Sequence, residues 1–319
     1  MRNFLASVAI TYYFNAISFV QSFSVEAPAP APKDIAIVGC GVLGTSLLRQ
    51  LVTSPEFESK SITAITKTSN NHESILKSVG SSSESSSFDL TTMDEIPKDQ
   101  KFSNVVFCAP PSAFDDYPAA VADASDNLWC GTNDGDGTFV FTSSGGVYGP
   151  GDGEVVSETS PLPDSSLASA RSMRMVKAEE NVLSRKGGVL RLAGLYTLER
   201  GAHNYWLEKG DGTVKGSSDG IINLLNYDDA AGACLSALKV GPSIVGGKVF
   251  LISDGHPTTR EGICASALKS KKYKDSKMPT FGQSDGAGKG KIYDGNISNL
   301  SLKWEPVHES FDKFMQGSQ

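Results

Sequence analysis

Asp34-Ile-Ala-Ile-Val38-Gly39-Cys40-Gly41-Val42-Leu43-Gly44-Thr-Ser-Leu-Leu-Arg-Gln50 is the stretch that decides how this chain folds. Residues 35–38 form an apolar, largely β-branched run that suits a strand buried on both faces. The glycines interrupt it, and a helix-like segment follows at once. Each glycine has its own physical role. Gly39 permits the tight turn out of the strand, Gly41 lets a phosphate approach the backbone, and Gly44 lets the helix pack closely on the sheet. The first N–H groups of that helix, from Val42 and Leu43 onward, then point at the anion. A GxGxxG string set between a strand and a helix reads as the phosphate turn of a dinucleotide-binding unit.

Outward from this turn, strands and helices alternate. Residues 61–67 read as a second strand, 72–79 as a polar helix and 87–90 as a short strand. Residues 104–109 form a buried strand stopped by Pro110 and Pro111. A helix is expected over 115–128, a strand over 138–142, a helix over 169–184 and a strand over 188–193. The Ser-rich stretch 81–87 and the Gly-rich stretch 131–137 read as solvated connections, and 150–166 as a long exposed loop. From Gly201 the alternation loosens, with a helix at 228–239, a strand at 248–253 and a polar helix from Arg260. This order predicts an α/β fold, a doubly wound parallel sheet with its ligand crevice at the C-terminal ends of the strands. The expected division is a targeting segment and linker at 1–33, a nucleotide-binding domain at 34–200, and a smaller C-terminal lobe at 201–319, partly interwoven with the sheet.

The formal charge of −7 over 319 residues argues against a nucleic-acid partner, because no basic field would attract phosphates along a strand. Five scattered cysteines without a CxxC pair read as free thiols, and four histidines without ligand spacing predict no metal site. Residues 4–20 are apolar with scattered Thr, Asn and Ser, and a Pro-Ala linker ends at Lys33. A weakly basic start, an apolar middle and a small-residue end read as an export signal. A membrane anchor is the alternative if the segment is retained. The order signal, then Phe23, resembles the bipartite targeting sequences of algae with secondary plastids, which implies a plastid destination; Glu26 and the missing arginines fit that pattern poorly.

Phe141-Thr142-Ser143-Ser144-Gly-Gly-Val-Tyr148-Gly149 is similar to the serine motif of the extended short-chain dehydrogenase/reductases, the group of NAD-dependent epimerases and dehydratases. Residues 189–196, 223–229, 253–257 and 304–306 resemble later landmarks of the same group, so the likeness runs from Asp34 to the end. GxGxxG in place of the usual GxxGxxG resembles its atypical branch. The resemblance implies a Rossmann fold, a nicotinamide cofactor and a small-molecule substrate. It also implies a relay of serine, tyrosine and a lysine four residues after the tyrosine. There the lysine lowers the phenol's pKa, the phenol passes a proton and the serine bonds the substrate oxygen.

Ser144 stands where the serine belongs, but the tyrosine is missing. Counting back from Lys177 reaches Met173, and counting from Glu180 by the family's acid position reaches Ser172 and Val176. Tyr205 and Tyr273 each precede a lysine by four, but both follow the Arg191 strand and lie outside the relay helix. The expected catalytic set is therefore Ser144, Lys177 and a replacement acid, Tyr148 first, with Tyr196 or His203 as the other candidates; Tyr196, His203 and Asn223 are expected on the substrate side. Arg191, inside an apolar strand, requires an anionic or carbonyl partner if it is buried.

Cofactor choice turns on the end of the second strand, where an acid selects NAD and a cation with hydroxyls accepts a 2′-phosphate. This strand ends in Thr66-Lys67-Thr68, so NADP is expected over NAD, with Lys67 on the phosphate. Ala109, Pro110, Pro111, Thr142 and Ser143 are expected to line the same site. The reading that follows is an NADP-binding protein of the atypical extended reductase type, an oxidoreductase or epimerase-like catalyst on a small hydroxyl or carbonyl compound. The alternative is a non-catalytic NADP-binding redox sensor or assembly factor. A phenol or imidazole beside Ser144 would favour the enzyme, and an apolar plug the binding protein.

Overall fold

The structure, a computed structural model, describes residues 31–80, 87–131, 137–166, 168–283 and 288–318. The export or plastid signal and most of its linker lie outside these residues, as do most of the two connections at 81–87 and 131–137.

Seven parallel strands form the central sheet: β1 (Lys33–Val38), β2 (Ile62–Thr66), β3 (Asp89–Thr92), β4 (Phe102–Phe107), β5 (Phe139–Ser144), β6 (Gly188–Leu192) and β7 (Val249–Ile252), in the order β7-β6-β5-β4-β1-β2-β3. The chain leaves β1 toward β2 and β3, then returns to place β4 on the other side. The β1/β4 junction is thus the switch point where such sheets open a crevice.

One face of the sheet is covered by α1 (Val42–Thr53) and by α5 (Tyr227–Val240), and the other by α3 (Tyr117–Asn127) and α4 (Ala170–Ser184). Ile35 and Ile37 turn to the first layer and Ala36 and Val38 to the second, the alternation a strand imposes. Helix α2 (His72–Val79) ends at Gly80, whose φ of +75° gives a left-handed cap. A third core joins Tyr196, Leu224, Ile263, Tyr273, Phe311 and Met315 in the C-terminal lobe. Two elements from beyond residue 226 join the glycine-turn half: α5 packs on α1, and β7 completes the sheet beside β6.

One expectation fails here. Residues 150–166 are not simply a loop, because Asp152–Val156 forms a strand that pairs in parallel with Gly290–Tyr293.

Candidate functional site

The glycine turn does what its spacing predicts. Gly39 has φ +95°, and a Cβ there would sit 2.3 Å from the Ala109 backbone. A Cβ on Gly44 would lie 2.6 Å from the Gly39 carbonyl oxygen, so only glycine lets α1 start this close to the turn. At Gly41 a Cβ would meet nothing within 4 Å. That open space is a cleft of about 1070 Å³, just above the roughly 300–1,000 Å³ typical of small-molecule sites. The Gly39 and Cys40 N–H groups donate to the Ile65 carbonyl, which pins the turn to β2. The first N–H groups of α1 have no acceptor inside the helix and face the opening.

Gly39, Gly41, Val42, Leu43, Ala109, Pro110, Pro111, Thr142 and Ser143 line this cleft, as expected. Gly44 lies beneath the turn. The second-strand residues are placed differently. Thr66 is buried, its hydroxyl bonded to His72 Nε2 at 2.7 Å and donating to the Thr91 carbonyl. Lys67 is exposed and donates to the Ala113 carbonyl at 2.7 Å, beside the Pro110-Pro111 rim, and Thr68 is exposed as well. Asn71 and Ser74, at the start of α2, line the β2 end instead. Sequence reasoning missed them; their place at a helix start just past the second strand was the available signal. Asp228 is the one carboxylate lining the cleft among the described residues, and it already accepts from Ser46 and Arg49.

At the other end of the cleft, Ser144 projects from β5 and its Oγ accepts the Gly146 N–H at 3.2 Å. The helix register is set by Glu179, which is 2% exposed and binds Arg191 through both carboxylate oxygens, with Nη2 at 2.8 Å. The Ser143 hydroxyl also donates to Glu179. Glu179, not Glu180, is therefore the acid that meets the sheet. The family spacing counted from it falls on Arg171 and Met175, and these two residues, one turn apart, line the cleft. Met173 and Lys177 are on another face of α4, beside a separate cavity of about 250 Å³ shared with Glu180. Lys177 is thus removed from the expected relay by the helix period itself.

The replacement acids are also placed elsewhere. Tyr148 is fully buried; its hydroxyl donates to the Ser157 carbonyl at 2.7 Å and accepts from Arg191 at 3.1 Å. Burial pushes its phenol up, against the pull of Arg191. Arg191 therefore has the partners its burial requires, and the role is structural. Tyr196 is packed edge-on against Phe311 and Phe314 in the lobe core, where burial pushes its phenol up strongly. His203 is 1% exposed, bonded to the Leu198 carbonyl and set edge-on to Tyr273, and burial lowers its pKa. Asn223 braces the Gly290–Tyr293 strand, donating to the Lys291 carbonyl and accepting the Tyr293 N–H. None of the four lines the cleft. Of its described phenols, Tyr117 donates to the Ala109 carbonyl and is pushed up by burial, and Tyr227 flanks Asp228 on the α1 side.

No family model matches the chain, and no curated protein sequence does. Solved structures do. UDP-glucuronic acid 4-epimerase from Bacillus cereus, in complex with NAD, superposes with a TM-score of 0.70 at 16% identity, over 89% of this chain and 96% of that one. The UDP-Glc/GlcNAc 4-epimerase of Campylobacter jejuni gives 0.67 at 18% identity, over 89% and 98%. A conserved protein of unknown function from Silicibacter pomeroyi gives 0.67 at 18%, over 90% and 98%. The chain has the Rossmann-type fold of the epimerase/dehydratase structures, along nearly the whole length of each.

Proposed function

We propose that this protein binds a nicotinamide dinucleotide across the glycine turn, NADP in preference to NAD, and holds it without the proton relay of the reductases. The observation that carries the reading is the open space at Gly41, set at the switch point of the sheet and faced by the start of α1. A pyrophosphate fits that space because uncommitted N–H groups and a helix N-terminus meet there. The adenosine half would lie toward Asn71 and Ser74 and the nicotinamide half toward Ser144. The B. cereus epimerase of the same fold was crystallised with NAD, which supports a cofactor of this class. When bound, the nicotinamide supplies hydride chemistry.

The NADP preference is supported by Lys67, exposed just past β2 though outside the cleft lining, and by the cleft's acid inventory. Among the described residues no carboxylate lines the β2 end, where an NAD site needs one for the ribose hydroxyls. The binding reading is favoured over catalysis by Arg171 and Met175. A guanidinium is permanently charged and cannot pass a proton, and a thioether cannot lower a phenol's pKa. Titration with NADPH and NADH, followed by tryptophan fluorescence, tests both parts. Saturable binding with NADPH tighter is expected. No binding of either removes the reading, and tighter NADH removes the assignment of Lys67.

A further inference from the structure

Arg49, Arg185 and Arg191 are ion-paired, and Arg260 donates to the Ser217 carbonyl. The guanidinium groups of Arg171, Arg174 and Arg200 have no hydrogen-bond or ion-pair partner among the described residues. Of these three, Arg171 and Arg200 line the cleft.

Each is carried by a segment that follows one of two neighbouring strands, β5 and β6. Arg171 is in the first turn of α4, and the neighbouring Ser172 hydroxyl donates to the Gly146 carbonyl, in the turn that follows Ser144. Arg200 follows β6 through the Gly194–Tyr196 segment, in a tight loop closed by the Thr197 N–H on its own carbonyl at 2.9 Å. The two residues therefore line the cleft from the segments that follow β5 and β6, which are neighbouring strands. Position makes Arg171 more telling. The first turn of α4 carries no acidic side chain, and a cation there opposes the helix dipole. The chain as a whole is acidic, at −7, yet this cleft is lined by two guanidinium groups without an ion-pair partner among the described residues. Concave walls focus such a field.

We infer that Arg171 and Arg200 form an anion clamp, a subsite for a small molecule bearing a carboxylate or a phosphate, beside the nicotinamide end of the cleft. The planar fork of each guanidinium suits a two-point bond to either oxyanion. The guanidinium at the relay position then grips a ligand instead of protonating one, so the cleft reads a dinucleotide and a small anion together. Only the identity of the neighbour in the cleft rests on the dinucleotide reading; the clamp belongs to the protein alone.

Calorimetric titration of the full chain at low ionic strength, with inorganic phosphate and with malonate, tests the clamp, with and without saturating NADPH. Saturable binding of at least one probe is expected. Arg171→Gln and Arg200→Gln should each weaken it roughly tenfold, the loss of one charged hydrogen-bonding partner. Arg174→Gln, which removes a partnerless arginine that does not line the cleft, should change nothing. All three side chains are exposed, so the variants keep the fold. Preference for phosphate or for malonate decides which oxyanion the ligand carries. Absence of saturable binding by both probes overturns the clamp. So does binding indifferent to Arg171 and Arg200, which would place the anion at the glycine turn. A protein that fails to bind NADPH but holds an anion through these arginines keeps the clamp and loses the dinucleotide.

Discussion

Glu179 and Arg191 are joined by hydrogen bonds to both carboxylate oxygens, buried at 2% and 5% exposure, and this pair fixes which face of α4 meets the cleft. Removing one partner strands a charge in the core. We predict that Glu179→Ala destabilises the fold by about 3–5 kcal/mol, since broken buried pairs cost that much. Urea denaturation measures it. The double change Glu179→Gln, Arg191→Met should recover part of the loss, and a single-variant cost under about 1 kcal/mol would contradict the pair's structural role.

The same register makes a catalytic prediction. Arg171→Tyr with Met175→Lys rebuilds the tyrosine and lysine on the cleft face, near Ser144. NADPH oxidation with a generic carbonyl compound should rise by about 10²-fold or more, the usual scale of general acid–base catalysis. Met173→Tyr, which places a phenol four residues before Lys177, should give no gain, because that face of α4 lines the separate cavity. A gain from Met173→Tyr alone would mean that the register is misread.

Gly41→Val should abolish NADPH and NADH binding while costing far less stability than Gly44→Val, because a Cβ there enters the open cleft and meets no protein atom within 4 Å. Gly44→Val should instead damage the fold, since its Cβ already collides with the Gly39 carbonyl oxygen. Fluorescence titration and thermal melts separate the two. Unchanged cofactor affinity in Gly41→Val would exclude the turn as the pyrophosphate site.

Asp254, 4% exposed, gives the fold a pH dependence. Burial lifts its carboxyl to about 7, with the Asp229 charge adding to the rise and the His256 N–H opposing it. The folded chain then holds a proton that the unfolded chain releases from its ordinary value of 3.8 upward. Its stabilising contribution is full below that value and falls as pH rises to about 7, at up to about 1.4 kcal/mol per unit. Buried His203, with its pKa lowered, acts in the opposite sense, because acid favours the unfolded chain that can protonate it. The difference between wild type and Asp254→Asn isolates the carboxyl: thermal melts from pH 4 to 8 should decline less steeply in the variant. Parallel curves would refute the buried acid.

The features legible in the sequence are those whose cause is local. The glycine turn carries its own steric requirements, and α2 runs over the residues its pattern marks because Gly80 ends it. Arg191 announced a buried partner. Which partner was not legible, since Glu179 and Glu180 are adjacent and only the fold turns one of them to the sheet. The Asp152–Val156 strand was hidden for a similar reason: its pairing edge comes from Gly290–Tyr293, far along the chain. Tyr148, Tyr196 and His203 follow strands in the sequence, but position along the chain does not say which side of the sheet a ring occupies. Each turned into a core, where packing outweighs access.

The placement of β7 and α5 bears on how the protein is made. Both come from residues beyond 226, yet one closes the sheet beside β6 and the other covers α1 behind the glycine turn. A nascent chain that has emerged only to residue 200 carries every glycine of the phosphate turn, but it exposes a bare β6 edge and an uncovered apolar helix. Unpaired edges of this kind recruit other chains. Translation must therefore run past Ile252 before the sheet and its cover are complete, and the C-terminal part of the chain supplies the pieces that end the vulnerable interval.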